Sequence, residues 1–179
     1  TTTTTNERGR TVNALMVGAG EYTTGSVFTA NGAAPDKPAG VCAITFTDLR
    51  RRGKINEIYL ADAVGTRMPQ VRDTMRTKIA EKYKDMEYVQ KIETFPNDDV
   101  EFDAEAYKLA IAKMTAGDVV TIFTPDDTHF EIAKACMEAK LHVLVAKPAV
   151  KTLEKHLELI EVAKENNVLC CVEYHKRFD

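Results

Sequence analysis

Four short stretches of this 179-residue sequence combine residue types that can do chemistry. The first is Gly18-Ala19-Gly20-Glu21-Tyr22-Thr23-Thr24-Gly25, directly after the apolar run Val12 to Val17. Gly18 suits a tight turn, and Gly20 lets a backbone approach a pyrophosphate closely. Thr23 stands where the third glycine of that fingerprint belongs, and Gly25 comes two residues late. An ordinary strand-to-loop turn is the alternative. The second stretch is Ala61-Asp62-Ala63-Val64-Gly65-Thr66-Arg67. An acidic residue there accepts hydrogen bonds from an adenosine ribose, whereas an arginine favours a 2′-phosphate. Asp62 points to the first and Thr66-Arg67 to the second, so NAD and NADP both stay open, with a lean to NADP. Arg67 as a solvated surface charge is the plainer alternative. Asp62 follows Gly18 by 62 − 18 = 44 positions, beyond the usual spacing of about 20, because a loop is inserted between them.

The third stretch, Thr124-Pro125-Asp126-Asp127-Thr128-His129, follows the most β-branched run. It reads as a proline turn capping a helix, or as a loop along a cofactor whose shape His129 fixes by hydrogen bonding. The fourth is Ala146-Lys147-Pro148, after Val143-Leu144-Val145. A lysine at a strand end beside apolar residues can be desolvated, which favours the neutral amine and equips it for proton transfer.

These stretches need elements to hold them. Residues 1–11 are threonine-rich and aperiodic and read as a mobile tail; residues 12–179 read as one domain. Strands are expected at Val12–Val17, Ile58–Ala61, within Tyr88–Phe95, at Val119–Phe123, at Leu141–Val145 and at Val168–Val172, the last a buried run. Residues 23–39 form a loop. Helices are expected from Val41 to Arg52, and from Pro69 with Val71, Met75, Ile79 and Tyr83 on one face. A further helix is capped by Asp103 and carries Tyr107, Ala110, Ile111 and Met114 up to Gly117. The next runs from His129 to Lys140 with Ile132, Ala133, Cys136 and Met137 inward. The last is capped by Thr152, with Leu153, Leu157 and Ile160 on its face and Asn166-Asn167 at its end. Apolar strands alternating with helices indicate a doubly wound parallel α/β sheet of about six strands, a Rossmann arrangement. Ligands bind such sheets beyond the carboxyl ends of the strands, where all four stretches fall.

Composition narrows the class. A net charge of −3 offers nucleic acid no general attraction, and Arg50-Arg51-Arg52-Gly53-Lys54 reads as a helix end instead of a basic patch. No apolar run approaches the roughly 18–20 residues that span a bilayer, and the expected location is the cytoplasm. Cys42, Cys136, Cys170 and Cys171 lack metal or redox spacing, so free thiols and no metal are expected.

Together, the Gly-x-Gly turn, Thr-Pro-x-x-x-His, Leu-His-Val-Leu-x-x-Lys-Pro and Tyr174-His175-Lys176-Arg177-Phe178-Asp179 closely resemble one family. It is the glucose–fructose oxidoreductase, inositol dehydrogenase and MocA (Gfo/Idh/MocA) family of NAD(P)-dependent oxidoreductases. The resemblance covers residues 12–179 and is most specific from Thr121 onward. It implies a Rossmann domain followed by a larger α/β domain, and hydride transfer between a nicotinamide and the carbinol carbon of a sugar, polyol or related compound. Carried over by position, Gly18, Ala19, Gly20, Glu21 and Tyr22 would meet the pyrophosphate end, and Gly65, Thr66 and Arg67 the adenosine ribose. Thr124, Pro125, His129, Lys147 and Pro148 would line the nicotinamide half, with Lys147 aiding proton transfer to the substrate oxygen. Ala146 replaces the glutamate of the family's Glu-Lys-Pro motif, so that carboxylate's contribution would be missing. The sequence stops where the family's second domain begins, so the substrate pocket and an oligomer interface would lie outside it. A dinucleotide-binding sensor or assembly module without catalysis is the alternative function.

Overall fold

Long β-branched and aliphatic runs bury best when both faces of a sheet are covered, and parallel pairing with helical crossovers provides that cover. A computed structural model, describing residues 11–28, 38–174 and 177, has this form. The strands are β1 (Val12–Val17), β2 (Ile55–Ala61), β3 (Glu93–Phe95), β4 (Val119–Ile122), β5 (His142–Ala146) and β6 (Cys170–Glu173). They form one sheet in the order β3-β2-β1-β4-β5-β6, every pair parallel. The helices are α1 (Glu21–Thr24), α2 (Val41–Arg51), α3 (Met68–Met75), α4 (Ala106–Ile111), α5 (His129–Glu138) and α6 (Leu153–Glu165). The strand order reverses between β1 and β4, which is the switch point of a Rossmann fold.

The central strand feeds two cores. Leu15 and Val17 face a cluster with Val120, Ile122, Cys136, Met137 and Leu159, under α4, α5 and α6. Ala14 and Met16 face the other side with Ile58, Leu60, Val71, Met75 and Ile79, under α2 and α3. Among the largest of these side chains, Leu15, Met16 and Leu60 are wholly inaccessible.

Several elements differ from the sequence expectation. Thr23 and Thr24, expected in a loop, form the last turn of α1 and are buried. Most of that loop, and the tail except Thr11, lie outside the described residues. The helix from Pro69 keeps Val71, Met75 and Ile79 inward but leaves Tyr83 42% exposed. A π turn over Arg76–Ala80 widens the coil there, so the 3.6-residue register is lost after Ile79. Tyr88 joins a 3₁₀ turn instead of β3, its ring under the Arg50 guanidinium at 3.4 Å and its hydroxyl donating to Glu57. Asp103, expected as the cap of the next helix, instead accepts the Glu105 N–H in the turn before it; α4 has Glu105 as its N-cap, with no side-chain cap bond, and ends at Ile111. Thr152 caps α6, yet Leu153, Leu157 and Ile160 face outward while Leu159 and Val162 are buried. The run at Cys170 and Cys171 is an edge strand, with Cys171 exposed. All four cysteines are free.

Candidate functional site

Gly18 ends β1 with φ +96°, and its N–H donates to the Ala61 carbonyl at 2.8 Å. A Cβ there would sit 2.2 Å from the Phe123 carbonyl oxygen, so only glycine lets β1 turn this close to the end of β4. Gly20 differs. Its backbone is extended at φ −69°, and a Cβ would meet nothing within 4 Å. Among the described residues, no atom requires a glycine at that point, and the space beside it is open.

The close packing expected of a third fingerprint glycine comes from elsewhere. Gly40, at the start of α2, would place a Cβ 2.3 Å from the Thr23 carbonyl oxygen. With Thr23 filling the usual position, the small residue has moved to the neighbouring helix. In the sequence, only its place before the apolar run of α2 hints at this.

Asp62 braces the glycine turn. Its Oδ2 accepts the Ala19 N–H at 2.8 Å and its Oδ1 the Val64 N–H at 3.1 Å. Each oxygen keeps a second lone pair, and Asp62 lines the larger of two cavities near the turn. That cavity, about 530 Å³, is also walled by Phe102, Tyr107, Thr124, Pro125 and Ile132. Phe102, 69% exposed, escaped the sequence reading; its one signal is an aromatic residue flanked by Glu101 and Asp103. Asp127 shares this wall and pairs with Lys151 at 2.7 Å, which holds its carboxyl below the usual carboxylate range.

Gly65 is buried for packing, since a Cβ would lie 2.0 Å from the Asn97 carbonyl oxygen. Thr66 donates its N–H to Val100, while the Arg67 guanidinium lies 4.7 Å over the Phe28 ring. None of Gly65, Thr66 and Arg67 lines either cavity.

The second cavity, about 340 Å³, lies across the turn and is lined by residues that include Gly20, Glu21, Tyr22, Thr124, His129, Ala146, Lys147 and Glu173. Thr124 is common to both. His129 is fully buried, with Nδ1 2.9 Å from the Pro148 carbonyl oxygen and Nε2 2.9 Å from that of Thr124. It therefore ties the loop after β4 to the loop after β5, on either side of Lys147. Thr128 adds a hydroxyl bond to Thr124 at 2.7 Å. Lys147 itself is exposed, so the desolvation expected of a lysine at that strand end is not met. Tyr22 stacks on Phe123 with ring centroids 4.5 Å apart and donates its hydroxyl to Glu173 at 3.3 Å. Burial, and then the Glu173 charge, pushes the Tyr22 phenol up from its ordinary value, so it remains a donor.

Two cavities that share Thr124 lie near the carboxyl ends of β1 and β4, at the switch point of the sheet. Residues 12–174 match the profile of GFO_IDH_MocA, described as an oxidoreductase family with an NAD-binding Rossmann fold. The chain belongs to the Gfo/Idh/MocA oxidoreductase family. YdgJ of Escherichia coli K12, an uncharacterized oxidoreductase, is 44% identical over 62 residues, 35% of this chain and 18% of that protein. Scyllo-inositol 2-dehydrogenase (NADP(+)) IolW of Bacillus subtilis 168 is 30% identical over 107 residues, 59% of this chain and 25% of that protein. In structure, UDP-N-acetylglucosamine 3-dehydrogenase GnnA from Acidithiobacillus ferrooxidans superposes with a TM-score of 0.54 at 18% identity. That match covers 92% of this chain and 38% of GnnA, and it shows the common fold. The family chain described here thus spans a quarter or less of the curated relatives it matches. Among the described residues, no helix is long and apolar enough to cross a membrane.

Proposed function

We propose that the chain is the dinucleotide-binding part of an NAD(P)-dependent oxidoreductase that moves hydride between a nicotinamide and a sugar-like alcohol or ketone. The observation that carries this reading is the glycine turn between a cavity lined by Gly20 and a larger one lined by Asp62, the acceptor of the Ala19 N–H, with open space where a side chain at Gly20 would stand. A dinucleotide fits that layout: adenosine in the larger cavity beside Asp62 and Phe102, pyrophosphate against the Gly18–Tyr22 turn, nicotinamide in the smaller one. Relatives named as dehydrogenases of scyllo-inositol and UDP-N-acetylglucosamine support a sugar or polyol as the substrate class.

In this reading, the bound nicotinamide accepts or returns a hydride; everything else falls to the chain. Asp62 holds the Ala19 amide and with it the turn. Thr66 and Arg67, outside the larger cavity, would meet the 2′-position of the ribose, which favours NADP. His129 fixes Thr124, Pro125 and Pro148 along the nicotinamide edge. Lys147, at the open rim, would give or take the proton at the substrate oxygen as that oxygen changes between alcohol and carbonyl. An oxidation releases the proton to the Lys147 amine; a reduction draws it from the ammonium. The exposure of Lys147 also suits a second reading, a dinucleotide-binding module without turnover.

The test is a titration of the chain with NADPH and NADH, followed by nicotinamide fluorescence, beside the Arg67→Ala variant. Micromolar binding of one cofactor is expected, with NADPH weakened about tenfold by the variant and NADH unchanged. Binding of neither would remove the reading.

A further inference from the structure

Position 146 carries alanine where a carboxylate would face the smaller cavity, yet the cavity does not lack one. In the parallel register of β5 and β6, Ala146 pairs with Glu173. Register partners on neighbouring parallel strands project to the same face, and Ala146 alternates with Leu144, whose row runs through Thr121 to Met16, so Ala146 and Glu173 both lie on the side of the sheet that carries α1. The half-buried Glu173 lines the smaller cavity with Lys147, His129 and Gly20, and its Oε1 accepts the Tyr22 hydroxyl. Tyr22 is itself stacked on Phe123, so the acceptor is held by a rigid aromatic pair. The other carboxylates on this wall, Glu21 and Asp126, stand on α1 and in the turn before α5. Lys147 is exposed at the rim, where solvent screens its charge; Glu173 is less accessible.

We propose that Glu173 sets the redox-state preference of the cofactor pocket, tightening the oxidised nicotinamide over the reduced, in the place that a carboxylate at position 146 would occupy. The inference rests on the reading of the smaller cavity as the nicotinamide site. The physical ground is charge: the oxidised ring is a cation and the dihydro ring is neutral, while the rest of the cofactor is the same in both. A fixed carboxylate in a partly desolvated cavity attracts the first and is indifferent to the second. The pocket then favours loading with the oxidised form, which suits a chain that starts its cycle by taking hydride from an alcohol.

Calorimetric titration of the 179-residue chain with NAD⁺, NADH, NADP⁺ and NADPH tests this, with melting curves to check each variant's fold. Glu173→Gln is expected to weaken the oxidised form about fivefold and to leave the reduced form within about twofold. Adding Ala146→Glu to that variant is expected to restore the ratio, because it returns a carboxylate to the same register position. An unchanged ratio, or equal loss of both forms, overturns the role of Glu173. A shifted ratio that Ala146→Glu fails to restore overturns its equivalence with position 146. Binding of none of the four by the unaltered chain overturns the dinucleotide reading first, and this inference with it.

Discussion

Gly18 and Gly20, two residues apart, are glycines for different reasons, and the difference can be measured. Gly18 combines a left-handed φ of +96° with a backbone oxygen 2.2 Å from any added Cβ. Gly18→Ala is expected to cost about 2–4 kcal/mol in a urea melt, since strain and overlap add. Gly20→Ala meets no atom, so stability should change by less than about 0.5 kcal/mol. Its methyl would instead occupy the space assigned to pyrophosphate, and cofactor affinity should fall at least about tenfold. If Gly20→Ala bound as tightly as the unaltered chain, the turn would not be the pyrophosphate site. Single residues are the most legible part of the sequence when their role is local: of the two readings open for the stretch after β4, the one in which His129 fixes the loop's shape agrees with its bonds to two loops. Gly40 and Glu173 were hidden because each matters through a residue far away in the chain, Thr23 for one and Ala146 for the other.

Elements followed the apolar period where one face alone is apolar, as in α5, whose Ile132, Ala133, Cys136 and Met137 are all buried. The period misled in α6, which offers two stripes. Leu153, Leu157 and Ile160 form one, and Leu159 with Val162 the other; only position against the sheet selects between them. Leu157→Gln should therefore leave the urea midpoint almost unchanged, whereas Leu159→Ala should cost about 2–4 kcal/mol. The reverse order would mean that α6 sits rotated about its axis. The strand at Cys170–Glu173 was legible as a strand, but not as an edge, because edge position depends on sheet order and leaves no mark in its own residues.

At the level of the whole molecule, buried thiols couple the fold to alkaline pH. Burial pushes Cys42 and Cys136 up to about 12 from an ordinary 9.0, so both stay protonated in the folded chain. Once unfolded, they ionise near their ordinary value. The stabilisation is thus complete below pH 9 and is lost as pH rises from there toward 12. The half-buried Tyr22 and Tyr59 and the buried Tyr107 are shifted in the same direction and add to it. The urea midpoint should hold up to about pH 9 and fall from there to about pH 10.5; a constant midpoint would show that the thiols are hydrated. Cover is also uneven: α4, α5 and α6 lie over one side of the sheet, while on the other the helices α2 and α3 cover the half built on β1, β2 and β3.

The position of β1 has a further effect. Of the six strands of this sheet, β1 comes first in the sequence and lies at the centre, and its second neighbour, β4, comes fourth. Asn13 and Asp118, which join the starts of these two strands through bonds of 3.0 Å, are 105 residues apart in the chain. During synthesis, Leu15 and Met16 leave the ribosome long before their partners exist. At about 5–20 residues per second, several seconds pass with that central strand paired on one side at most. The chain is thus most vulnerable to chaperone capture and misassociation while its best-buried residues wait for β4, and a stall anywhere before Val119 would prolong that interval.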